Sequence, residues 1–457
     1  MIKHIKNSNN SEFRYLFNFK DELATGRKTM YIYNILITVT NSLITGVMYT
    51  AFLTLNGINI VNVSIITFIP YVAWIFSMFT PIIYSRIKRR RALLVFNTTF
   101  YYTCIIFATT IMPKFVSDPT QITIWFAVLL LVGNISNALF GSGSTAWHIH
   151  YISEERSRTG FIAYSNIAIT VISTVVSISS AIIADSLQGS PKQAIIISVM
   201  RYIAYVVALM ATLFLWLRPK VEYPYPKSKK KLKFLDVIKD PISSKAFLYT
   251  ALIFFLYNFV TNVNAGSWNY YVMNTLGYKM IIMYTNGMAY MLSYVFLLSR
   301  WRKSVVKHNY FKVYLLAISV SMLLEIPMGL TRSGTVWIYI ITSILQGINI
   351  VGVSYINSNL FYINLPLEST DTCIVFWNLG TNIFALIGSL AGTFFISFTE
   401  KTGPYNINFN FWFIQIENYT MYGSQLLVYI KSFLYLLLGI FIIFAMRNIN
   451  RIKAQAI

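Results

Sequence analysis

Apolar residues gather into twelve runs along the chain, separated by short stretches in which most of the charged residues sit. The runs cover residues 30–55, 63–84, 93–112, 122–147, 160–184, 194–217, 246–274, 280–298, 310–330, 336–363, 373–398 and 424–446. About 20 apolar residues, rising 1.5 Å each, cross roughly 30 Å of hydrocarbon with every backbone group bonded inside its own helix. The pattern therefore predicts an all-α integral membrane protein with 12 transmembrane helices. Residues 1–29 are polar and basic, and no short apolar core with a small-residue cleavage site precedes the first run, so no cleavable leader is expected.

Composition agrees. Of 457 residues, 56% are hydrophobic and 11% charged, against about 25% charged in soluble chains. The two cysteines, Cys104 and Cys373, lie in or at the edge of apolar runs, which excludes a disulfide scaffold and a cysteine-based zinc site. The 37 lysines and arginines outnumber 15 acids, for a net charge of +22. If both termini share one side, the loops on that side hold roughly four-fifths of the basic residues. The positive-inside bias then puts both termini and the long central loop in the cytoplasm of a plasma-membrane protein. An anionic inner leaflet accounts for the excess charge, and no nucleic-acid partner is needed. Phe13, Leu16, Phe17 and Phe19, set among basic residues, suit an interfacial segment on that leaflet.

The central linker, residues 218–245, divides a six-span half (30–217) from a second (246–446), with a tail at 447–457. A shift of 214 lays the Ser85-Arg86-Ile87-Lys88-Arg89 loop on Ser299-Arg300-Trp301-Arg302-Lys303 and Gly133 on Gly347. Two such halves, repeated in parallel about a basic linker, resemble the major facilitator superfamily over nearly the whole chain. Its motif between helices 2 and 3, Gly, three residues, Asp-Arg, one residue, Gly-Arg-Arg, is matched by Arg86, Arg89 and Arg90. Pro81, Ser85 and Lys88 stand where it has Gly, Asp and Gly. The resemblance implies gating roles for Ser85, Arg86, Arg89 and Arg90, for Glu155, Arg156 and Arg158 after helix 4, and for the repeat positions Ser299 and Arg300. It implies two pseudo-symmetric halves and secondary transport by alternating access.

Charge within hydrocarbon marks a functional candidate, and Arg201, Glu325 and Lys431 are such charges. They lie toward the outer ends of spans 6, 9 and 12, which the resemblance makes peripheral, so they read as structural, the long basic chains reaching the interface. The central turns of spans 1, 4, 5, 7, 8, 10 and 11 carry no charged residue. That suits a small neutral, zwitterionic or amphipathic solute and leaves a coupling ion such as a proton unassigned. The same spans carry amides, hydroxyls and rings at helical spacing, which cannot face lipid without losing hydrogen bonds. The candidate solute-binding residues are Asn34, Thr38 and Asn41; Asn134 and Asn137; Asn258, Thr261, Asn262, Trp268 and Tyr271; Gln346 and Asn349; and Asn378 and Asn382. Each amide has a second reading as interhelical glue. No cofactor or metal is expected, since His148 and His150 are two apart and would diverge on a helix. Two other functions stay open. One is a transporter-like sensor or scaffold that moves nothing. The other is a membrane-embedded lipid-modifying enzyme using Glu154 and Glu155 beside His150.

Overall fold

The computed structural model describes residues 24–80, 83, 87, 90–141, 155–217, 234–366, 370–411 and 414–455. Among them, eleven helices are long and apolar enough to cross a membrane, and twelve if a bent pair counts as one span. The chain is a multi-pass membrane protein. The bent pair is the first span, Ala24–Ile44 and Gly46–Leu55, which meet at 41°. Gly46 makes the break: its φ of +61° lies in the left-handed region that residues with a Cβ avoid.

The other spans follow the apolar pattern, with ends set by local chemistry. Asn59 caps the second span, Ile60–Phe79, by accepting from the Asn62 amide at 2.9 Å. Asp118 caps the fourth, Pro119–Phe140, where Pro119 fills a position that needs no amide hydrogen. The third, Arg91–Lys114, carries one π-helical segment at Thr103–Ala108, and the seventh, Lys245–Thr275, ends in another at Tyr271–Thr275.

Three features depart from the sequence reading. The eighth span, Met280–His308, does not stop near Leu298, because no glycine or proline follows Leu298 before Asn309, which turns the chain at φ 77°. The linker contains a ten-residue helix, Phe234–Ser243, tied to the start of the eleventh span by the Thr372 hydroxyl donating to Asp240 Oδ2 at 3.2 Å. A β-hairpin also joins the last two spans: β1, Tyr405–Phe411, pairs antiparallel with β2, Ile414–Met421. The helical class holds, and the hairpin is its one sheet among the described residues.

The described residues fall into two compact units. One comprises those among 1–52 and 76–230, the other those among 53–75 and 231–457. In the first, the Thr40 hydroxyl donates to the Ala204 carbonyl at 3.3 Å and the Ser42 hydroxyl to Ser173 at 2.9 Å, tying span 1 to spans 6 and 5. Arg201 does not reach an interface as expected: it is 1% exposed. Its guanidinium donates to Thr110 Oγ1 (2.8 Å), Thr109 Oγ1 (2.7 Å) and the Ile105 carbonyl (3.0 Å), and lies 4.0 Å from the Phe52 ring centroid. The same Ile105 carbonyl, in the π-helical segment of span 3, also accepts the Thr109 hydroxyl at 2.8 Å.

The second unit is built on a core of Phe247, Phe255, Tyr314, Ile356, Trp377 and Leu438. Small residues bring its backbones together. Gly388 and Gly392 of span 11 lie against the Phe259 and Val263 carbonyls of span 7, and Gly347 of span 10 lies against the Asn286 carbonyl of span 8.

Candidate functional site

The second unit holds an open cavity of about 510 Å³ between spans 7, 8 and 10. That is within the range of small-molecule sites, roughly 300–1,000 Å³. Span 7 contributes Phe254, Tyr257 and Asn258; span 8, Asn286, Gly287 and Tyr290; span 10, Ile350, Ser354, Asn357 and Ser358. The spacing explains the convergence. Asn286 and Tyr290 stand four residues apart, as do Phe254 and Asn258, and Ser354 and Ser358, so each pair shares a helix face. Span 8 comes close because Gly347 presents no side chain to it.

Among the described residues, no charged group lines the cavity. Its polar chemistry is three primary amides, each able to offer a donor and an acceptor, together with hydroxyls of serine and tyrosine. Asn258 Nδ2 is engaged by its own helix, donating to the Phe254 carbonyl at 2.8 Å. Asn357 lies beside the Tyr257 and Tyr314 hydroxyls, yet its buried Oδ1 and the Tyr314 hydroxyl make no hydrogen bond of good geometry. The rings of Phe254, Tyr257 and Tyr290 supply apolar faces.

Of the solute-binding candidates, Asn258 alone lines this cavity. One turn on, Asn262 Oδ1 accepts from the Tyr71 hydroxyl of span 2 at 2.5 Å, while its Nδ2 donates to the Asn258 carbonyl at 2.8 Å. Thr261 bonds back to the Tyr257 carbonyl at 3.0 Å. Trp268 and Tyr271 pack on each other with centroids 5.6 Å apart, and Tyr271, 2% exposed, also packs on Tyr422. Asn349 Nδ2 donates to the Ala317 carbonyl and to Ser321 Oγ, both at 2.9 Å, so it ties span 10 to span 9. Gln346 is half-buried outside the cavity. Asn382 Nδ2 donates to the Asn378 carbonyl at 2.8 Å along span 11, and Asn378 is exposed.

In the first unit, buried Asn134 donates to the Leu130 carbonyl at 2.8 Å, and Asn137 Oδ1 lies against Gly141. Asn34 and Asn41 accept the hydroxyls of Thr38 and Thr45 on their backbone carbonyls, with Asn41 exposed. Many of these amides and hydroxyls satisfy themselves one turn back on their own helix. A polar stripe therefore does not by itself mark a cavity wall.

Among the gating candidates, Ser85, Arg86 and Arg89 lie outside the described residues. Arg90 opens the third span's helix, and Glu155, Arg156 and Arg158 open the fifth's, Glu155–Asp185. Ser299 and Arg300 are exposed on the continuous eighth helix and not in a loop. The sequence reading missed Asn286, Tyr290, Ser354 and Ser358, although their four-residue spacing is visible in the chain.

No protein-family model matches the sequence, and neither does any curated protein. Solved structures do. The nucleoside transporter NupG aligns at a TM-score of 0.66 and 8% identity, over 92% of this chain and 98% of its own. The POT family transporter PepTSo aligns at 0.64 and 14%, over 93% and 99%. The human organic anion transporter MFSD10 aligns at 0.57 and 12%, over 93% and 100%. The chain has the fold of transporters of the major facilitator type, in agreement with the sequence resemblance.

Proposed function

We propose that the protein is a secondary transporter that moves a small uncharged organic solute by alternating access, and that the cavity between spans 7, 8 and 10 forms part of its binding site. The observation that carries this reading is the lining itself: three amides, hydroxyls and aromatic faces around about 510 Å³, with no charged group among the described residues. Such a wall holds a ring or polyol by paired hydrogen bonds and stacking. The described lining residues carry no charge to meet that of an organic anion or the two charged ends of a peptide. Among the named likenesses, one transports nucleosides, a solute class that this lining suits best. The plasma membrane, with both termini in the cytoplasm, remains the location that the basic loops support.

The test is flux. Purified protein in liposomes is assayed with labelled uridine, a hexose, a dipeptide and an organic anion. Uptake of a neutral solute, reduced at least about tenfold by Asn357→Leu or Asn258→Leu while the variants keep their thermal stability, is the expected result; tenfold corresponds to about 1.4 kcal/mol. Flux confined to the anion, or flux indifferent to both variants, would overturn the reading. Ligand-dependent partner binding with no flux at all would point to a sensor.

A further inference from the structure

The seventh span is interrupted at residues 263–266, between the helices Lys245–Asn262 and Ser267–Tyr270. Within the break the Ala265 amide reaches the Asn262 carbonyl only three residues back, at 3.4 Å. Irregular backbone at membrane depth persists where protein covers it or where it lines a polar cavity. This break borders a second cavity of the same unit, about 10 Å³, which it shares with spans 2 and 11. That is room for one atom-sized occupant and far too little for an organic solute. No lining residue is common to this cavity and the larger one.

Spacing brings the walls together. Ser64 and Thr67 stand three apart on span 2, and Ser389 and Thr393 four apart on span 11, so each pair shares a helix face. Gly266 lies against the Cα of Ser64, and Gly392 against the Val263 carbonyl, which lets the three backbones close in. Most hydroxyls on these walls have already spent their hydrogens. Ser64 donates to the Ile60 carbonyl at 2.9 Å, Thr67 to Val63 at 2.8 Å, Ser389 to Asn262 at 3.4 Å and Thr393 to Ser389 at 2.8 Å. A hydroxyl has a single hydrogen, so what these four still offer is lone pairs. Ser267 differs: it is 2% exposed, and its buried Oγ makes no hydrogen bond. Buried polar atoms are nearly always bonded, and a spare hydroxyl on the wall of a polar cavity points to an occupant.

We propose that this cavity is a binding site for a small monovalent cation, sodium foremost, held by the hydroxyl oxygens of Ser64, Thr67, Ser267, Ser389 and Thr393 and by main-chain oxygens of the break. A water molecule has two hydrogens to give and would leave most of those oxygens unmet, whereas a cation draws on all of them. An anion would face lone pairs. The described lining carries no carboxylate, and carboxylates are what divalent calcium and magnesium ions require, so the neutral oxygen set suits a single charge. Carbonyls freed where a membrane helix unwinds are a suitable supplement to such a set. Bound there, the ion clips span 2 to spans 7 and 11. The inference does not depend on the protein moving a solute.

Its test uses no solute, so it and the transport reading fail separately. The full chain in nanodiscs is melted in sodium, potassium or choline chloride at equal ionic strength, and binding of radioactive sodium is counted on the same preparations. The expected result is a melting temperature that rises saturably with sodium, and less with potassium, in step with the sodium bound. Ser267→Ala and Thr67→Val should each raise the half-saturating sodium concentration about tenfold or more, whereas Thr67→Ser, which keeps the oxygen, should leave it near the wild-type value. Ser267→Ala removes a hydroxyl that has no partner, so its melting in choline should match the wild type and show that the variant folds. Equal melting in sodium and choline, as a trapped water alone would give, would overturn the proposal. So would a response that potassium matches, or a sodium response that both variants leave unchanged.

Discussion

Two asparagines eight residues apart on one helix show how much a polar side chain in a membrane depends on its neighbours. Asn349 is spent between spans 9 and 10, on a carbonyl and a hydroxyl, whereas Asn357 borders the cavity. Asn349→Leu is therefore expected to lower thermal stability by about 1 kcal/mol or more with solute affinity unchanged in any variant that folds, and Asn357→Leu to do the reverse. Thermal shift and solute titration on the same preparations separate the two. Lys431 Nζ stands 2.8 Å from Glu325 Oε1 inside the second unit, and this ion pair gives a sharper cycle. Glu325→Gln or Lys431→Met alone strands a buried charge and is expected to cost about 3–5 kcal/mol, whereas the double replacement costs much less. Equal losses for singles and double, measured by denaturant unfolding, would contradict this. Residue types and spacing were legible in the sequence. What was not legible is the bond from an amide back to its own carbonyl four residues earlier, as in Asn134, Asn258 and Asn382, because nothing in the spacing separates self-satisfied amides from available ones.

At the level of elements, hydropathy located all twelve spans, and local chemistry modified their ends. Asn59 and Asp118 act as caps where the sequence supplies the side chain. The continuation of span 8 to His308 escaped a hydropathy reading because its last turns are basic, yet the absence of glycine and proline there already allowed a helix. The hairpin escapes a hydropathy reading because alternation over Tyr405–Phe411 and Ile414–Met421 is short and sits between two long apolar runs. The burial of Arg201 is invisible in composition because its acceptors, two threonine hydroxyls and a carbonyl, come from a neighbouring span. The close contact of spans 7 and 11 makes a clear prediction. A Cβ at Gly392 would collide with the Val263 carbonyl and one at Gly388 with the Phe259 carbonyl, both backbone atoms that cannot swing aside. Gly392→Ala is expected to cost about 1–3 kcal/mol, more than Gly439→Ala, where the added atom meets Leu315 at an ordinary 3.5 Å. Comparable melting temperatures for the two would show that spans 7 and 11 are more loosely packed than described.

For the molecule as a whole, the helical membrane architecture followed from one count, the number of apolar runs. The positions of the solute-facing residues did not, because they depend on which helices approach one another, and that is decided by contacts such as Gly347 against Asn286, not by the polarity of either helix. The charge count makes its own prediction: reporters fused to the N-terminus and C-terminus should both label from the cytoplasm, and labelling of either from outside would reverse the topology.

The bend at Gly46 carries a last consequence. A new helix begins there, so the amides of residues 46–49 have no carbonyl earlier in that helix to bond, and acyl chains offer no acceptor. Something polar must solvate that notch, and Asn41 and Thr45 stand exposed beside it. Hydrogen–deuterium exchange should thus run faster at residues 46–49 than elsewhere in the first span, and a variant that restores a straight rod there should lose that local gateway for exchange.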